Sequence, residues 1–162
     1  MTESREIPRI LVVDDIATNL DVLVSCLEDD YQVFAAPAGP AALAIVQAQP
    51  IDVVLLDIIM PEMDGYEVCR RLKADPATAG IPVIFVTALG ELDNETEGFR
   101  LGAVDYLQKP LRAPIVQARV KTHLALHRAR RVLEDYNRSL EAEVVARTEA
   151  LAAANARLAA ID

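Results

Sequence analysis

Short apolar, β-branched runs alternate along the chain with stretches whose apolar residues recur at helical spacing. The runs Ile10–Val13, Gln32–Ala35, Val53–Leu56, Val83–Val86 and a weaker Ala103–Leu107 predict five strands. Between them, residues 18–28, 41–49, 66–74 and 93–101 carry the amphipathic pattern of helices, each bounded by turn residues. Gly39-Pro40 puts proline at a helix start, where its missing N–H is harmless, and Asp75-Pro76 closes the third helix. Strand–helix–strand repetition requires parallel crossovers, and near-continuous apolar strands fit a sheet covered on both faces. The expected fold class is therefore α/β, a doubly wound five-stranded parallel sheet whose chemistry lies at the carboxyl ends of its strands.

From Pro114 onward the helical pattern continues to the C-terminus with no strand signal. Leu126, Leu133 and Leu140 recur every seven residues, and Val144, Leu151 and Leu158 form a second seven-residue series. These are d and a positions of one heptad register, which also puts Asn137 at an a position and Arg147 at a d position. The pattern predicts a long helix forming the seam of a parallel homodimeric coiled coil. A single amphipathic helix folding back on the domain is the simpler alternative. We expect residues 1–127 to form the globular domain and 128–162 the coiled-coil helix.

Composition narrows the function. The 162 residues are 52% hydrophobic, enough for a packed core, while aromatic residues are 4% with no Trp, too few for a base-stacking surface. The net charge of -9 repels phosphate backbones on average. The exception is residues 112–131, with Arg112, Arg119, Lys121, Arg128, Arg130, Arg131 and no acid. A basic stretch feeding leucine heptads is the geometry of a bZIP-like DNA-binding dimer, but this stretch should pack as the last helix of the α/β core, so no direct nucleic-acid contact is expected. Cys26 and Cys69 lie outside metal-ligand spacings, suit a reducing cytosol and read as small buried hydrophobes. His123 and His127, one turn apart, could ligate zinc, yet no acid or Cys stands at ligand spacing; exposed or interface positions fit better. The charged start and strand-length apolar runs exclude a signal peptide and a spanning helix, so we expect a cytoplasmic protein without membrane contact.

The chemistry sits at strand ends. Asp14-Asp15 follows the first strand and Asp57 ends the third. If those strands are neighbours, as in the order 2-1-3-4-5, three carboxylates converge at the topological switch point. Converging like charges make sense around a cation, and oxygen-only ligands favour Mg2+, which keeps positions open for phosphate oxygens. Helix capping would account for Asp14-Asp15 alone but not for Asp57. Thr87 and Lys109 follow the fourth and fifth strands, where a hydroxyl and an ammonium would meet phosphoryl oxygens. Lys109 precedes Pro110, an arrangement open to a cis peptide. Ile59 has no side-chain ligand, so only its backbone carbonyl could reach a metal, and its apolar side chain could hinder attacking water. Pro61 and Gly65 read as loop shapers, Gly65 by permitting a positive φ.

The segments Ile10–Asp15, Leu55–Gly65, Val86-Thr87-Ala88 and Tyr106–Pro110 resemble the receiver domain of bacterial two-component response regulators, CheY-like and flavodoxin-like in fold, over about residues 7–127. The resemblance implies Asp57 as phosphoacceptor, Asp14 and Asp15 as acidic Mg2+ residues, Thr87 and Lys109 as phosphoryl contacts, Tyr106 as the switch aromatic, and a histidine kinase or phosphotransfer protein as donor. The tail segment Leu140–Thr148 is similar to signalling helices of regulators carrying HD-GYP phosphodiesterase or diguanylate cyclase domains. That implies cyclic-di-GMP signalling by the parent protein. The pattern is still helical near Asp162 and lacks the motifs of those outputs, so a segment cut before an output domain is expected. A haloacid-dehalogenase-like phosphatase would also use an aspartate nucleophile with Mg2+, but it needs Asp-x-Asp, and Ile59 stands at the second position.

Overall fold

A computed structural model describes residues 6–88 and 99–161. The elements are β1 (Arg9–Val13), α1 (Ala17–Leu27), β2 (Gln32–Ala36), α2 (Gly39–Ala48), β3 (Val53–Asp57), α3 (Gly65–Ala74), β4 (Val83–Thr87), β5 (Asp105–Gln108) and a final helix, α4 (Ala113–Ala159). The five strands form one parallel sheet in the order β2-β1-β3-β4-β5. The helix expected over residues 93–101 lies mostly outside the described residues; of its last three positions, Phe99 and Arg100 are helical and Leu101 is already in a turn.

The inner strands β1, β3 and β4 are apolar over nearly their whole length because both faces are covered, whereas the edge strands β2 and β5 are partly exposed. Leu11, Val13, Val54, Leu56, Val83 and Phe85 point to one side and bury against Ala42 and Val46 of α2 and Val68, Cys69 and Leu72 of α3. The alternate residues Ile10, Val12, Val53, Leu55, Ile84, Val86 and Leu107 point to the other, against Leu23 and Leu27 of α1 and Val116, Val120 and Leu124 of α4. The period of two along a strand divides the core into these two layers. β5 begins two residues later than the apolar run suggests: Ala103 is buried ahead of the strand, and the Val104 N–H donates to the Val83 carbonyl.

The basic stretch belongs to this core as far as Leu124, since Val116, Val120 and Leu124 are buried at a spacing of four, while Arg128, Arg130 and Arg131 are exposed beyond it. That takes Arg112, Arg119 and Lys121 out of the free basic region a bZIP reading requires. The chain divides into two compact units, residues 1–124 and 125–162. In the second, the heptad positions Leu126, Leu133, Leu140, Val144, Leu151 and Leu158 are all exposed, as is Ile161, a further d position of the same register. No helix among the described residues is long and apolar enough to cross a membrane.

Two local expectations need correction. Gly65 does not have a positive φ; the positive φ of this loop belongs to Glu62, at 67°, where the Met63 N–H donates to the Pro61 carbonyl in a γ-turn. What Gly65 supplies is space, because a Cβ there would overlap the carbonyl oxygen of Asp57. Cys26 is only half-buried, whereas Cys69 is buried and directs its thiol at the Leu101 carbonyl.

Candidate functional site

Strand register assembles the site. Val13 pairs with Leu56, so the next residues, Asp14 and Asp57, stand side by side at the carboxyl edge. Asp57 pairs with Val86, which sets Thr87 one step beyond it on β4, and the Lys109 N–H donates to the Thr87 carbonyl at 2.7 Å. In-register parallel strands, each with a polar residue at its end or just after it (Asp14, Asp57, Thr87, Lys109), therefore deliver four strand ends to one rim. The loop after β3 is held down by the Gly65 N–H, which donates to the Ile58 carbonyl at 2.7 Å, and Asp64 caps α3 by accepting from the Glu67 N–H at 2.9 Å.

Carboxylate oxygens of Asp14, Asp15 and Asp57 lie within 4.8 Å of one another. Asp14 and Asp57 are buried and Asp15 is exposed, so the cluster opens outward on one side. Asp14 Oδ1 accepts from the Ile16 N–H at 2.9 Å, which fixes that carboxylate. Its Oδ2 is 3.3 Å from the Lys109 ammonium, which also stands 3.4 Å from Asp57 Oδ2. The Lys109–Pro110 peptide is cis. Burial, then the negative charge of Asp14, push the Asp57 carboxyl up to about 6, against the lowering effect of Lys109. One ammonium thus incompletely offsets the converging carboxylates, and an all-oxygen donor set of this kind fits a hard divalent cation. Thr87 is buried at the same edge. Ile59 is 63% exposed and its side chain adds no ligand.

The sequence-predicted residues Asp14, Asp15, Asp57 and Lys109 are brought together, with Thr87 beside them on β4. Tyr106 lies on β5 and packs between two rings, 5.7 Å from Phe85 and 5.0 Å from Phe99. Zinc ligation by His123 and His127 gains no support. His123 Nε2 lies 2.8 Å from Asp105 Oδ2, an acid 18 residues away whose proximity no local spacing reveals. Among the described residues, the acidic grouping of metal-binding type is the Asp14, Asp15, Asp57 cluster.

Residues 10–121 match the response regulator receiver domain family. The chain belongs to that family. It is 46% identical over 86% of its length to the Vibrio cholerae protein named "Probable cyclic di-GMP phosphodiesterase" and 45% identical over 70% of its length to "Response regulator PleD" of Caulobacter vibrioides. It spans 32% and 25% of those proteins, respectively. A solved CheY-like receiver domain protein from Methanospirillum hungatei JF-1 superposes with a TM-score of 0.71 at 28% identity, covering 76% of this chain and 98% of that one. The receiver is a phosphoacceptor signalling module of two-component regulators, which sets aside the phosphatase reading.

Proposed function

We propose that Asp57 receives a phosphoryl group from the phosphohistidine of a histidine kinase or phosphotransfer protein in the cytoplasm. A carboxylate oxygen of Asp57 attacks phosphorus, the P–N bond breaks, and the electron pair returns to the donor imidazole, leaving an acyl phosphate. Lys109 neutralises a phosphoryl oxygen and Thr87 donates its hydroxyl to another. Asp14, Asp15, Asp57 and the Ile59 backbone carbonyl would hold Mg2+. The cation supplies charge neutralisation of the phosphoryl oxygens during transfer.

The observation that carries this reading is three carboxylates within 4.8 Å bordered by one ammonium at the carboxyl edge of a parallel sheet. We further propose that residues 1–127 act as the receiver and 128–162 as the coiled-coil helix, and that the chain pairs with a second copy through Leu126, Leu133, Leu140, Val144, Leu151 and Leu158. The name of the Vibrio cholerae relative supports a role in cyclic-di-GMP signalling for the parent protein.

The test is phosphorylation by acetyl phosphate or a histidine kinase. One acid-labile phosphoryl group per chain is expected, dependent on Mg2+ and absent in Asp57→Asn. Asp15→Ala should weaken Mg2+ binding and raise the Mg2+ concentration needed for phosphorylation. Label retained on Asp57→Asn would refute the assignment.

A further inference from the structure

The short strand β5 carries unlike side chains on its two faces. Tyr106 points into the layer with Phe85, while Leu107 packs in the opposite layer with Val116, Val120 and Leu124 of α4. By the same alternation Asp105 shares the α4 side with Leu107. There its carboxylate gathers three donors. Arg119 Nη1 reaches Oδ2 at 3.0 Å and Oδ1 at 3.2 Å, His123 Nε2 lies 2.8 Å from Oδ2, and the backbone N–H of Tyr106 donates to Oδ1 at 2.8 Å. Arg119 and His123 are one helical turn apart on one face of α4 and flank the buried Val120 and Leu124. The Asp105 and His123 side chains are only 20% and 13% exposed, so this contact is better shielded than an ordinary surface pair.

We infer that Asp105, Arg119 and His123 form a polar coupler that delivers a change at Tyr106 to the final helix. The inference rests on the reading of Tyr106 as the switch residue. One carboxylate is bound at once to the backbone of that residue and to two side chains of α4, so a conformational change that turns the Tyr106 N–H must also lengthen or realign the bonds to Arg119 and His123. Leu107 provides the apolar half of the contact, which holds the strand against α4 but has no directional preference. The hydrogen bonds have one, because they weaken steeply with angle. All three residues are positioning residues, with no contact to the phosphoryl pocket. Three residues after His123 in sequence comes Leu126, the first of the heptad leucines.

Hydrogen–deuterium exchange on the full chain, with and without acetyl phosphate and Mg2+, tests this, with phosphoryl incorporation followed separately by intact mass. In the wild type, phosphorylation should change the exchange rates of residues 116–124 by about threefold or more. Asp105→Asn and His123→Gln should take up phosphoryl groups as the wild type does and still change around Tyr106, but lose most of the helix response, and Asp105→Glu should restore part of it. A contact that only stabilises the helix would shift its exchange equally in both states, leaving the difference intact; that result in both variants would overturn the inference. A phosphorylated wild type whose helix is unresponsive would overturn it as well. A chain that takes up no phosphoryl group would remove the underlying reading first, and the mass measurement separates that failure from the others.

Discussion

Single residues set how closely the pocket can be built. A Cβ on Gly65 would overlap the Asp57 carbonyl oxygen and stand 2.8 Å from the Ile58 Cα, so the backbone carrying the nucleophile would have to move. Gly65→Ala should cost about 2–3 kcal/mol in urea unfolding and slow phosphoryl uptake. Gly102→Ala is the contrast. Its φ of 98° strains any L side chain, but a Cβ there meets only the flexible Lys73 stem, so a loss of about 1–2 kcal/mol should leave uptake unchanged. Asp105 sets a pH dependence. Burial acts to raise its carboxyl, and hydrogen bonds from His123, the Tyr106 N–H and Arg119 outweigh that, holding it below the ordinary value of 3.8. A carboxyl held low in the folded state adds stability above its unfolded value and loses it as pH falls through the folded one. Asp105→Asn should therefore lower unfolding free energy by about 1–2 kcal/mol at pH 7, with the deficit shrinking below the ordinary carboxylate range. A deficit that stays constant down to pH 3 would contradict this charge-based account.

At the scale of elements, the ends of β4 and β5 connect the pocket to the aromatic column. The Lys109 N–H bonds the Thr87 carbonyl, while Phe85 of β4 stands between the rings of Tyr66 and Tyr106. Phosphorylation is expected to draw Thr87 inward and open space for Tyr106, shifting a pre-existing population and moving the face ahead of β5. NMR of the phosphorylated chain should show changes over residues 91–106, of which 99–106 are described. Changes confined to Asp14, Asp15 and Asp57 would count against the switch. Lys109→Ala should still accept a phosphoryl group, because Asp57 remains, but show no change at Tyr106, because the phosphoryl oxygen loses the ammonium that ties it to the residue after β5. Phosphorylation-dependent shifts at Tyr106 in that variant would refute the role given to Lys109.

For the whole molecule, the energetics of association turn on the final helix. Its heptad side chains, such as Leu133 at 61% and Leu158 at 68% exposure, lie open to water in a single chain. Burying each is worth roughly 1.5–3 kcal/mol before ordering costs, so pairing at moderate concentration is expected. Asn137 at an a position favours two parallel strands in register, where it can hydrogen-bond its own copy. Sedimentation equilibrium should give a dimer for residues 1–162 and a monomer for a chain ending at His127. A monomer at tens of micromolar for the former, or equal dimerisation of the latter, would remove the seam.

The apolar periodicity determined by itself that β1, β3 and β4 are buried strands, where the final helix runs, and that polar residues stand at or just after the ends of β1, β3, β4 and β5, since these follow from local pattern and chain connectivity. The heptad register is equally local. The tertiary structure decided which strand ends meet, because the 2-1-3-4-5 order and its register, not any spacing along the chain, bring Asp14 to Asp57 and Lys109 to both. It also decided what Gly65 is for: the sequence offers conformational freedom as its use, but the constraint is the approach of the Asp57 backbone from eight residues earlier. The Asp105–His123 contact was hidden for the same reason. A carboxylate on a strand and a histidine on a helix share no period, and only the packing of α4 on the sheet sets them 2.8 Å apart.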